Sequence, residues 1–80
     1  MNLNRKGEFV LSYKLITERP ELVTRIMDLC IIVRAEPLYV SNRIVYHAYS
    51  NRFDEVEEGV TFPTYEWIAN EDGSIKAVKL

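Results

Sequence analysis

The spacing of apolar side chains changes period along this chain, and those changes limit the fold more than any other feature. Over EFVLSYKLI, residues 8–16, Phe9, Leu11, Tyr13 and Leu15 alternate with polar Ser12 and Lys14, the period of a strand with one buried face. From Thr17 the period lengthens, and Leu22, Val23, Ile26, Met27 and Leu29 gather on one side of a helix. Thr17 stands where an N-cap belongs, Glu18 and Pro20 suit a first turn, and Glu21 precedes Arg25 by four residues as a favourable pair. One strand followed by one amphipathic helix is the expected opening.

β-Branched residues then take over. CIIVRA, residues 30–35, is continuous enough for a central strand, with a helix running on to Glu36 and stopping before Pro37 as the competing reading. Pro37 has no ladder donor, so PLYV is either the same strand beyond a bulge or a short edge piece. Ser41-Asn42 suits a tight turn into RIVYHAYS, which makes residues 31–49 a hairpin. VTFPTYEWIA and SIKAVKL flank Asp72-Gly73, whose left-handed tendency marks a second hairpin. The expected fold class is α+β: one amphipathic helix packed on a mainly antiparallel β-sheet of four to five strands in meander order, in a single domain over residues 1–80.

Eighty residues leave room for one core, in a size range where about 60% of the unfolded chain's surface is buried on folding. The 48% hydrophobic and 28% charged content is that of a globular chain. Cys30 is alone, so no intrachain disulfide forms, and its setting in an apolar run reads as a buried thiol in a reducing compartment. No run reaches the roughly 18 to 20 apolar residues of a membrane span, and MNLNRKGEFV lacks the apolar segment of a signal peptide. A cytoplasmic protein away from membranes is the expectation, with a homodimer as a source of added stability.

The inventory for catalysis is thin. His47 is the only histidine and falls inside a strand pattern, which reads as a structural histidine in the absence of a neighbouring nucleophile. One His and one Cys fall short of a zinc set, and DEVEEG lacks the alternating ligands of a calcium loop. Gly7, Gly59 and Gly73 are too far apart for a phosphate-cradling loop. No enzyme, cofactor or metal is expected.

Charge and aromatic residues are distributed unevenly. Residues 1–40 carry six basic and five acidic side chains, whereas residues 41–80 carry four basic and seven acidic. All seven of those acids lie between Asp54 and Asp72, a window without Lys or Arg. Asp54, Glu55, Glu57 and Glu58 share a connection with Phe53 and Val56, and Phe62, Tyr65, Glu66 and Trp67 follow on a strand. A solvated loop over core aromatics is the plain interpretation. The functional one is a contact surface in which rings anchor a partner and carboxylates steer a basic surface toward them. An alternative class is a nucleic-acid-binding module using sheet aromatics and the scattered arginines, which would require clustered cations.

Pro20-Glu21 with Val23 and Ile26, IVYHAY at 44–49, Asp54-Glu55, Pro63 with Tyr65 and Trp67, and Asp72-Gly73 with Lys76, Lys79 and Leu80 together resemble the uracil-DNA glycosylase inhibitors of Bacillus phages. The resemblance implies a small α+β protein that mimics DNA and blocks an enzyme by stoichiometric contact. Two departures limit it: the first strand offers Ser12 and Lys14 where that family has an acidic-serine motif, and the family's additional N-terminal helix is missing before Gly7. More loosely, AYSNRFDEVEEGVTFPTYEW looks like the small accessory proteins of tailed phages. The expected function is a small non-enzymatic inhibitor or modulator of a host protein with a basic surface, phage-encoded and acting in the host cytoplasm. Its expected contact residues are Phe53, Asp54, Glu55, Val56, Glu57, Glu58, Phe62, Tyr65, Glu66 and Trp67.

Overall fold

The computed structural model describes residues 3–80 and contains two helices and five strands, an α+β arrangement. The first strand, β1, covers Lys6–Ser12 and stops earlier than its alternation suggests, because the Ser12 hydroxyl accepts from Leu15 N–H at 3.1 Å and caps a short helix, α1, over Tyr13–Glu18. Tyr13 and Leu15 are therefore helical. Thr17 does not cap anything; its hydroxyl donates back to Tyr13 O. The second helix, α2, runs Pro20–Asp28 with Pro20 in its first turn, so the expected single helix is two, parted at Arg19. Arg19, rather than Arg25, pairs with Glu21, at 2.8 Å.

Strands β2, Ile31–Leu38, and β3, Arg43–Tyr49, form the expected hairpin, closed by residues 39–42 with Asn42 at φ 54°. The helical alternative for residues 30–36 is thereby excluded. The order of this sheet is β1-β3-β2, so β2 is an edge and not the central strand its composition suggests. Ile31 and Val33 are 52% and 51% exposed. The edge is blunted in two ways: the register slips between Ile32 and Arg34, and Pro37 sits opposite Ile44. Strands β4, Tyr65–Ala69, and β5, Ile75–Lys79, make a separate two-stranded sheet around a turn in which Gly73 adopts φ 90° and Asp72 accepts from Ser74. Five antiparallel strands are thus divided three and two, and the long connection 50–64 interrupts the expected meander.

The core lies between the inner face of the larger sheet, the smaller sheet and α2. Gly7, Phe9 and Leu11 of β1 and Tyr46 and Ala48 of β3 share that face, with Ile26 of α2 and Ile75 of β5 closing it. Rings fill most of it: Phe9 stacks on Tyr46 at 5.3 Å and meets Trp67 edge-on at 5.8 Å, while Phe53 stacks on Tyr65 at 4.5 Å. Gly7 is what makes room for that last pair. A Cβ there would lie 2.7 Å from the Tyr65 ring and 3.0 Å from that of Phe53.

Candidate functional site

The rings expected to anchor a partner are instead part of the core. Phe53 is 0% and Tyr65 3% exposed, and Trp67 packs between Phe9 and Phe53. The reason is register: on β4, Tyr65 and Trp67 alternate with exposed Glu66, and the connection 50–64 folds back so that Phe53 drops onto the ring of Tyr65. Phe62 alone of the expected aromatic set lies elsewhere, on the opposite face of the three-stranded sheet. The expected composite of acids and rings on one surface does not form.

The acidic part of it does. Asp54, Glu55, Glu57 and Glu58 are all exposed, Val56 is half-buried, and none of the four carboxylates joins an ion pair among the described residues. This loop is not a loose tether, because its root is fixed at four points. Phe53 is inserted in the core, Arg5 Nη1 donates to Phe53 O at 2.8 Å, Asp54 N–H donates to Tyr65 Oη at 2.8 Å, and Val56 N–H donates to Asn4 O at 2.9 Å. Four like charges are held together on a pinned support. Glu66 is instead, like Arg43, part of the lining of a cleft between β1 and β4.

The arginines are placed differently from what a phosphate-binding surface needs. Arg5, Arg25 and Arg52 donate to the carbonyls of Phe53, Gly73 and Ile75, and Arg19 and Arg34 pair with Glu21 and Glu36. Arg43 alone is without a partner among the described residues. Of the aromatic side chains that the nucleic-acid reading would use for stacking, Phe9, Phe53 and Tyr65 are buried in the core, whereas Tyr39 is exposed.

The outer sheet face holds a group that sequence reasoning missed. His47 Nε2 lies 3.2 Å from Glu8 Oε1, its ring stacks on Phe62 at 4.7 Å, and Lys6 Nζ stands 5.1 Å from the centroid of the same phenyl ring. These residues border an open groove of about 550 Å³ beside Val60. The partners come from strands forty residues apart, so only the β1–β3 register reveals them. Glu8 and Phe62 hold the His47 ring in place, and the Thr64 hydroxyl donates to the other oxygen of Glu8.

Cys30 is half-buried beside Ser50, and burial pushes its thiol up to about 11. Ser50 is wholly buried, donating to Leu29 O at 2.7 Å and accepting from Arg52 N–H, which ties the end of β3 to the end of α2. Among the described residues no group of three or more His, Cys, Asp or Glu side chains is placed to hold a metal ion, and no helix is long and apolar enough to cross a membrane.

Fold and site together define a small α+β domain of two unequal antiparallel sheets that presents a pinned acidic loop. No family model, curated protein or solved structure matches the chain.

Proposed function

We propose that this protein is a non-enzymatic protein-binding module that engages a basic surface of its partner through the loop 54–58. The observation that carries the reading is the pinned loop itself: four exposed carboxylates that join no ion pair among the described residues, on a support fixed by Phe53, Arg5, Tyr65 and Asn4. A connection serving only to join β3 to β4 has no need of that fixation. Preorganised like charge raises the rate of encounter with an oppositely charged surface and excludes acidic partners. In the form suggested by the resemblance to phage inhibitors, the module blocks a host protein by occupying its cationic face, the carboxylates standing where phosphates would.

Affinity capture from a lysate of the native host, with the wild-type chain and the D54K/E55K/E57K/E58K variant as parallel baits, tests this. A partner retained by the first and lost by the second is expected, with association of the purified pair slowing as salt rises from 50 to about 300 mM. Equal retention of the same partner by both baits would sink the reading.

A further inference from the structure

The first strand has two edges, and β3 uses only one of them. Hydrogen bonds at both ends of the β1–β3 ladder show which residues face β3: Ser50 N–H donates to Arg5 O at 3.0 Å, and Tyr13 N–H donates to Asn42 O at 2.9 Å. In an antiparallel pair the backbone groups alternate in direction, so the odd-numbered residues of β1 are directed to β3 and the even-numbered ones away from it. Glu8 confirms the parity, since its N–H donates to Pro63 O at 2.7 Å and it bridges Thr64 in parallel register. Beyond that single bridge β1 and β4 part. Val10, with its N–H and C=O, and Ser12, with its N–H, then face a gap.

The opposite wall has the same character. Leu80 N–H donates to Thr64 O at 2.9 Å and Asn70 N–H to Ser74 O at 2.8 Å, so the even-numbered residues of β4 serve β5. Trp67 and Ala69 therefore turn their backbone groups toward β1. The gap is a cleft of about 320 Å³ whose lining includes Val10 and Ser12 on one side, Trp67 and Ala69 on the other, and apolar Leu22 and Ile26 of α2. Arg43 and Glu66 also border it, one from the β1–β3 side and one from β4.

We propose that this cleft binds an extended segment of a partner protein, inserted between β1 and β4 and hydrogen-bonded to both. Two facing rows of main-chain donors and acceptors are complementary to another main chain, and this is the chemistry by which proteins add a strand to an open sheet edge. The segment joins the three-stranded and two-stranded sheets into one. The stretch from Val10 to Ser12 admits about three residues at a rise of about 3.3 Å each. Its middle side chain is apolar and points at α2, while an acidic residue toward Arg43 and a basic residue toward Glu66 match the charges of the lining. The blunted edge of β2 in a second copy is a poor occupant, because Pro37 and the slip near Val33 break its run of donors. This inference concerns a different surface from the loop 54–58 and does not depend on it.

A random heptapeptide library displayed on a carrier protein, panned against the intact chain, supplies the probe; a synthetic copy of an enriched peptide is then titrated into isotopically labelled protein. Enriched peptides should alternate apolar and polar residues. The amide hydrogens of Val10, Trp67 and Ala69, quick to exchange in the free protein, should slow at least tenfold at saturation. Val10→Pro removes one cleft-facing donor but none from the β1–β3 ladder, and should weaken binding about tenfold, whereas Val10→Thr should not. The same peptide N-methylated at alternate residues should fail to bind, a measurement that needs no folded variant. Equal binding of the N-methylated peptide would mean an apolar side-chain pocket only, slowing of those amides with protein concentration alone would mean self-association, and absence of any enriched peptide would mean no strand site; each overturns the proposal. Reversal of the loop carboxylates should leave the titration intact, which separates this outcome from failure of the loop reading.

Discussion

Neighbouring residues of one connection meet opposite fates. Phe53 is sealed against Tyr65 and Trp67, while Asp54, Glu55, Glu57 and Glu58, starting one residue later, stand in solvent and join no ion pair among the described residues. The contrast separates two kinds of work within a single stretch. The ring sets where the loop is, and the carboxylates set what it can meet. A surface read from composition alone merges the two, since ring and acid are adjacent in sequence and lie on different sides of the protein boundary in space.

Breaking the buried side should have the largest effect. Phe53→Ala removes a ring in contact with three others and should cost about 3–5 kcal/mol in urea unfolding, a large share of the total expected for a domain this size. A loss below about 1 kcal/mol would contradict the placement of that ring. Gly7→Ala tests the same stack from behind. The added methyl meets the Tyr65 and Phe53 rings, and a loss of about 1–3 kcal/mol is expected by the same assay, with an unchanged midpoint pointing to a looser stack.

A smaller effect concerns the thiol at the end of α2. Because the folded Cys30 titrates near 11 and an ordinary thiol near 9, the unfolded state loses its proton first. Stability from this group is therefore complete below about pH 9 and declines as pH rises from there through about 11, and alkylation at pH 8 should be slower in the folded chain than in urea. Equal alkylation rates would remove the burial argument. The smallest effect belongs to the exposed side: reversing the four loop carboxylates should move the melting midpoint by no more than about 2 °C. A large drop would show that these acids support the fold, and the comparison with Phe53 would collapse.

Local patterns in the sequence identify much of the architecture. Ser41-Asn42 and Asp72-Gly73 mark both hairpins because turn geometry depends on adjacent residues. The start of the first helix was hidden, since Tyr13 and Leu15 continue the alternation of β1 and only the hydroxyl of Ser12 signals the change. Strand order was not legible either. CIIVRA has the composition of a central strand, yet position in a sheet is decided by which strands pair, and β3 pairs with both β1 and β2. The candidate site divided along the same line. Exposure of Asp54 and its neighbours follows from charge, whereas burial of Phe53 and Tyr65 and the pairing of His47 with Glu8 depend on contacts between distant residues.

The proline in β2 has a consequence for how far these molecules can associate. Open-ended ribbons grow when each unit offers two compatible margins, so that every addition recreates the site for the next. Here the β2 margin is interrupted by a missing donor and a kink, so growth of a ribbon through that edge would stall at each addition.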